Sequence, residues 1–321
     1  MGHTNRIIYQ SQAVSVDGVT LDGVQSCNYG IDIGREDVNQ FGQLGAVDKV
    51  ILAAPTCTME IGYYAGGYGG GTNEANHLSG LLASGIYGSV SGADVIAGLT
   101  TDQGVDYSAA GNSVTLKSGV LTSFSCEASV GAIVNNTLSF AGTDFAYSTT
   151  MPTAPTTSLN IATQTGVGVN ILEVGGATSS PTPEATFVNY QSATVNYDLG
   201  QEVLQRLGDG AGNTPYYYAI VPTFPATASI DFESLAINEG MKIVVDNLSQ
   251  SANTANKSVA AGGYANVTVN VGGVTYKLSN CTMDNQNFSS SIGDNATLSC
   301  SFAATIGGSN SKSQLQIAAK P

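Results

Sequence analysis

Apolar and polar residues alternate along much of the chain with the period of a half-buried β-strand. Thr137-Leu138-Ser139-Phe140 alternates, as does Leu298-Ser299-Cys300-Ser301-Phe302-Ala303. Each run sends one set of side chains into a core and the other to solvent. Val267 to Val271 alternates, meets Gly272-Gly273 and resumes in Val274-Thr275-Tyr276, the pattern of a tight hairpin. Ile31-Asp32-Ile33 closes a further strand. Helical spacing is rarer. Val38 and Phe41, three apart, predict a short helix or turn over Arg35–Leu44, and Val203, Leu204 and Leu207 predict its counterpart over Gln201–Leu207. Asn73–Ile86 and Ala236–Leu248 also allow helices, although Gly80 and Gly85 interrupt the first and Gly240 the second. Gly62–Gly71 (GYYAGGYGGG) breaks both periods and is expected to be a loop. Its tyrosines Tyr63, Tyr64 and Tyr68 could anchor a neighbouring subunit or pack against their own domain.

The pattern occurs twice. Gln25–Gly42 (QSCNYGIDIGREDVNQFG) matches Gln191–Gly208 (QSATVNYDLGQEVLQRLG) at an offset of 166, with six of 18 positions identical. The identities are Gln25/Gln191, Ser26/Ser192, Asp32/Asp198, Gly34/Gly200, Glu36/Glu202 and Gly42/Gly208, and Phe41/Leu207 keep apolar character. Val114–Ser139 matches Val274–Ser299 at an offset of 160, with nine of 26 identical. The two matches fall in the same order, so the chain reads as two copies of a module of normal domain size. Residues 1–160 form the first copy and 161–321 the second, with the boundary in the Thr/Pro-rich stretch Met151–Pro183.

Composition narrows the function. The 321 residues include 10 Lys+Arg, 24 Asp+Glu, two His, 39 Gly and no Trp, for a net charge of −14. An acidic chain lacks the basic footprint of a nucleic-acid or anionic-membrane binder. With His3 in a terminal segment, His77 is the only internal histidine, which disfavours a catalytic triad or a His-rich metal site. Gly66–Gly71 is not followed by Gly-Lys-Ser/Thr, so it is not a phosphate loop. Asp32, Glu36 and Asp37, echoed by Asp198 and Glu202, could form an acid–base pair or a divalent-cation site. The alternative is structural, because carboxylates at Glu36 and Asp37 suit the start of a short helix. Neither a catalytic residue nor a metal or cofactor site is expected. Cys27, Cys57, Cys126, Cys281 and Cys300 are odd in number and widely spaced, as reduced, buried cysteines are. The first residues contain no apolar core of a signal peptide, and no run of 18 apolar residues predicts a membrane span.

The repeated element, with Glu36, Phe41 and Gly42 in one copy and Glu202, Leu207 and Gly208 in the other, resembles the opening strand–helix of tail tube proteins of tailed bacteriophages. The resemblance implies a mainly β fold, two tandem tail-tube-like β-sandwich or split-barrel modules with short flanking helices. The duplication departs from the commoner members, which have one tube module per chain, and resembles a smaller group with two fused modules, whose trimers form pseudo-sixfold rings. Neighbouring modules would then join their inner sheets into one barrel around a lumen, with 24 strands if each module supplies four. The implied partners are copies of the chain itself, other phage tail proteins, and double-stranded DNA that passes through the lumen without specific binding; a membrane is not among them. The implied location is the virion tail, assembled in the host cytoplasm. An acidic lumen wall would repel the DNA it conducts; acidity that only keeps the free subunit soluble is the alternative. Other readings are a baseplate hub, collar or capsid decoration protein, and a secreted β-sandwich adhesin, for which paired cysteines would be expected.

Overall fold

The computed structural model describes residues 12–51, 55–66, 71–87, 93–100, 111–142, 144–155, 161–162, 168–173, 185–186, 190–207, 216–223, 226–235, 265–306 and 315–319. The fold is mainly β. The first set of elements is β1 (Gln12–Val16), β2 (Val19–Leu21), β3 (Val24–Asp32), β4 (Arg35–Asn39), β5 (Ala46–Ile51), β6 (Thr56–Tyr64), α1 (Gly71–Tyr87), β7 (Ala93–Thr100), β8 (Gly111–Ser129), β9 (Asn135–Gly142) and β10 (Asp144–Ser148). The second is β11 (Gly168–Glu173), β12 (Ala185–Thr186), β13 (Tyr190–Asp198), β14 (Gln201–Leu207), β15 (Tyr216–Pro222), β16 (Ala226–Leu235), β17 (Ala265–Val271), β18 (Val274–Ser289), β19 (Thr297–Ile306) and β20 (Leu315–Ala319).

The strand pairing repeats. Every pairing among β1–β10 recurs among β11–β20 with each strand number raised by ten, and all are antiparallel. Among the described residues the two sets meet in one further pairing, β8 with β13. An eight-stranded sheet results, in the order β3-β6-β9-β8-β13-β16-β19-β18, four strands from each set. The N-terminal parts of the long strands β8 and β18 leave this sheet and join β2-β1-β7 with β10, and β12-β11-β17 with β20, respectively.

Alternation explains the layering. In β9 and β16 every second residue is buried, and Leu138, Phe140, Ile230 and Phe232 point into one continuous core. One ring pair bridges the layers, Phe124 of β8 stacked on Tyr276 of β18 at 5.6 Å, and another, Phe232 stacked on Phe302 at 6.1 Å, joins the neighbouring strands β16 and β19. Such ring pairs add to the hydrophobic term of roughly 25 cal/mol per Å² of apolar area buried. Helix α1, anticipated over Asn73–Ile86, buries Ala75, Leu78, Leu81 and Leu82 at helical spacing and lies against β8, β18 and β20. Among the described residues it is the only α-helix. The candidate helix Ala236–Leu248 and the proposed boundary at residue 160 lie outside the described residues.

Three expectations are corrected. Arg35–Leu44 is not a helix: Arg35–Asn39 is β4, paired with β5, and Gln201–Leu207 is β14, paired with β15. Val38 and Phe41 mimic helical spacing because a strand runs there into a turn at Phe41-Gly42, where Gly42 has a positive φ. Glu36 and Asp37 therefore do not cap a helix; Asp37 binds Lys49 across the hairpin at 3.2 Å. Second, the Gly62–Gly71 loop does not start at Gly62. Gly62, Tyr63 and Tyr64 complete β6, held between Ser26 of β3 and Asn135–Thr137 of β9. The Gly-Tyr-Tyr composition hid a strand whose neighbours on both sides supply the hydrogen bonds that its glycine does not discourage.

The third correction concerns the offset of the second match. Strand register equates Leu116 with Leu278, the bulged Thr122 with Asp284, and Phe140 with Phe302, an offset of 162 rather than 160. The turns agree: Ala132 N donates to Ser129 O, and Asp294 N to Ser291 O, with Gly131 and Gly293 at φ 85° and 97°. Glycine is the residue that takes this left-handed conformation without strain. A slip of two along an alternating Ser/Thr strand keeps every side chain on its face, so sequence identity favoured the wrong register. The offset of 166 in the first match stands: Gln25 and Gln191 are the bulged residues of β3 and β13.

Candidate functional site

The feature with chemistry is the polar face of the eight-stranded sheet. Its strands carry Asp32, Glu60, Glu127, Asp198, Asp231, Glu233 and Asp284, and over the residues paired within this sheet they contain no Lys, Arg or His. Alternation puts these carboxylates outward. Glu60 is exposed between buried Met59 and Ile61, and Asp231 lies between buried Ile230 and Phe232. The described cations lie elsewhere: Arg35 and Lys49 on β4–β5, Arg206 on β14, and Lys117 and Lys277 on the outer parts of β8 and β18. Lys117 binds Asp94 there at 2.6 Å.

The face repeats across the two halves. Asn28, Glu60, Ser139 and Ser123 form one row across β3, β6, β9 and β8, and Thr194, Asp231, Ser301 and Asn285 form the matching row across β13, β16, β19 and β18. Glu60 and Asp231 thus occupy the same position. Asp231 accepts hydrogen bonds from the hydroxyls of Ser229, at 3.2 Å, and Ser301, which fixes it in the shallow depression between Thr194, Glu233 and Asn285. The Glu60/Asp231 equivalence was missed because those strands match at an offset of 171, outside the two blocks that sequence identity revealed.

The anticipated positions fall at equivalent places without converging. Asp32 and Asp198 end β3 and β13, and Asp198 accepts from Gly200 N at 3.2 Å. Four strand spacings, roughly 19 Å, separate β3 from β13, so the acidic group at Asp32 and Glu36 and its echo at Asp198 and Glu202 stand apart. Glu36 is exposed on β4, and Phe41 and Gly42 form the hairpin tip. Glu202 pairs with Val221 and Leu207 with Tyr216 through the backbone, while Gly208 and Tyr68 lie outside the described residues. Tyr63 is fully buried, so it cannot anchor another subunit, and Tyr64 is half-buried.

Tyr63 instead marks a buried polar hub. Glu74 of α1 accepts from Tyr63 Oη at 3.3 Å, Gly66 N at 2.7 Å and Asn136 Nδ2 at 2.8 Å. Burial pushes its carboxyl up to about 7, against the opposing pull of these three donors. Burial likewise favours neutral His77 and raises the Cys27 thiol to about 11 and that of Cys300 to about 12, far from nucleophilic thiolates. All five cysteines are free thiols. Among the described residues no three His, Cys, Asp or Glu side chains are grouped to hold a metal ion.

Comparison with known proteins gives little beyond this geometry. No protein-family model matches the chain, and no curated protein matches it. Among solved structures the chain is similar to the SPP1 tail tube determined by solid-state NMR and cryo EM, at 11% identity over 49% of this chain and 79% of that one, with a TM-score of 0.29. A likeness of that extent establishes neither family nor function.

Proposed function

We propose that the chain is a virion structural subunit of the tail-tube kind, which assembles with copies of itself into stacked rings and a hollow conduit for DNA. The observation that carries this reading is the eight-stranded sheet whose polar face bears seven carboxylates and no cation. Three copies of eight strands give a 24-stranded closed barrel. At about 4.8 Å per strand and a tilt of about 40°, such a barrel is roughly 45–50 Å across between backbones, leaving an open channel after side chains are placed. With the polar face inward, Glu60 and Asp231 of three copies form a belt of six equivalent carboxylates. DNA carries about one negative charge per 1.7 Å of axis, so this wall repels the duplex and lets it slide. Closure also removes the exposed strand edges that make open sheets aggregate. The two halves, alike in pairing, give the trimer its pseudo-sixfold character.

Negative-stain electron microscopy of the purified chain after concentration, with averaging along any filaments, tests the reading. Hollow tubes, or rings of six lobes from three chains, are the expected result. Rings that never stack would instead indicate a hub, collar or terminator, and uniform single particles without a channel would refute the conduit.

A further inference from the structure

One seam of the eight-stranded sheet is closed inside the chain and its equivalent is open. At the closed seam β8 pairs with β13, with Ser129 opposite Ser192, Cys126 opposite Val195 and Ser123 opposite Asp198. Two further bonds clamp its ends, Leu199 N to Thr122 O and Val130 N to Gln191 O, both 2.9 Å. The counterparts of these strands are β18 and β3, which stand at the two ends of the sheet. Among the described residues, β3 pairs only with β6, and the part of β18 from Thr282 to Ser289 only with β19.

Burial shows what is missing. Val195 and Cys126, opposite each other in the closed seam, are 0% and 1% exposed. Their counterparts Tyr29 and Phe288 are 54% and 50% exposed. Tyr197 is buried, whereas its counterpart Ile31 is 53% exposed. Neither edge carries Lys or Pro, the residues with which natural edge strands are usually guarded against pairing.

We infer that β3 of one copy pairs antiparallel with β18 of a second copy of this chain, repeating the β8–β13 seam between molecules. The register follows from the offsets of 166 and 162 fixed by the bulges. Ser26 lies opposite Ser291, Asn28 opposite Ser289, Tyr29 opposite Phe288, Ile31 opposite Gln286 and Asp32 opposite Asn285. The clamping bonds become Ile33 N to Asp284 O and Ile292 N to Gln25 O. Tyr29 and Phe288 then form an aromatic pair on the core side, of the kind that stabilises cross-strand neighbours. One chain cannot satisfy both edges itself, because seven strand spacings, roughly 33 Å, separate them. The inference deepens the self-assembly reading above by naming its contact.

The test is disulfide trapping in the full chain. Asn28 and Ser289 are exposed and stand at a non-hydrogen-bonded pair position, the closer of the two antiparallel spacings. Mild oxidation of concentrated Asn28→Cys/Ser289→Cys protein is expected to replace the monomer band with multimers, up to three times the monomer mass, that collapse on reduction. Ser289→Cys alone controls for native Cys27, and Asn28→Cys/Asn285→Cys, displaced by four residues, is expected to remain monomeric on the gel. Equal trapping by the displaced pair, or assembly without trapping by the matched pair, overturns the seam. As a second probe, Phe288→Asp is expected to keep the parent's melting temperature while lowering the assembled fraction at least about tenfold; unaltered assembly overturns the seam. Trapped rings that never form hollow tubes would refute the conduit and leave the seam standing. Tubes that form without trapping at the matched pair would do the reverse.

Discussion

The two halves build the same corner of the fold from different material. In the first, Tyr63 on β6 faces Asn136 on β9, and both donate to buried Glu74 of α1. In the second, the same two positions are Ser234 and Leu298, opposite each other on β16 and β19 and both buried. The backbone ladders are alike, so the ladder does not require the polar hub. What the hub adds is a tie from the sheet to α1 and to the turn at Gly66, whose N–H also binds Glu74. Strand pairing specifies the repeat, and the core chemistry is free to differ within it.

Breaking the hub outright should have the largest effect. Glu74→Ala leaves the Tyr63 hydroxyl, the Asn136 amide and the Gly66 N–H without their acceptor in a buried site. Each unsatisfied group costs about 1–3 kcal/mol, and the expected loss is about 4 kcal/mol, measured by denaturant unfolding. A loss below about 1 kcal/mol would show that the first half tolerates an empty corner as readily as the second tolerates Ser234 and Leu298.

Removing only the charge sharpens the comparison. The Glu74 carboxyl sits at about 7 when folded and at its ordinary value of 4.5 when unfolded. The folded chain therefore holds the proton more tightly. Its contribution is fully present below pH 4.5 and is lost as pH rises through 7, by about 3 kcal/mol in all. Glu74→Gln keeps an acceptor and abolishes the titration. The stability difference between parent and variant should move by that amount in the variant's favour between pH 4.5 and 7.5, and a difference independent of pH would refute the role assigned to Glu74. Asn136→Leu, which copies Leu298 into the first half, removes one charge-assisted bond but adds apolar contact. The expected loss is about 2 kcal/mol, shrinking when Glu74→Gln is also present, as a double-mutant cycle would show.

The same contrast explains how much the sequence disclosed. Alternation revealed β9, β17 and β19 and the Gly272-Gly273 hairpin, because period 2 is a local signal. The 166 offset was legible because Gln25 and Gln191 both form a bulge and so resist sliding. The 162 offset was not, because Ser/Thr strands look alike after a slip of two. Glu74 went unnoticed as the lone carboxylate in an apolar helix, since its partners lie 8, 11 and 62 residues away. The acid-rich face was hidden for a related reason. Its seven carboxylates are spread over six strands that are distant in sequence, and only the strand order collects them.

The smallest expected effect lies at the tip of the β4–β5 hairpin. Phe41 and Leu44 are fully exposed there, and Val38, Val47, Val50 and Ile51 along the two strands are more than a third exposed. Among the described residues nothing covers these two tip side chains, so they contribute no buried area to the chain's stability. Phe41→Ser with Leu44→Ser should leave denaturant unfolding of the monomer within about 0.5 kcal/mol of the parent, as surface substitutions do. Two fully exposed apolar side chains at one tip are nonetheless a surface that a second copy can cover, so the substitution should lower self-association in sedimentation at the same concentration. A stability loss above about 1 kcal/mol would mean that the hairpin tip folds back onto its own sheet in solution. It would then belong with the buried corner at Glu74 rather than with the open edges at Tyr29 and Phe288.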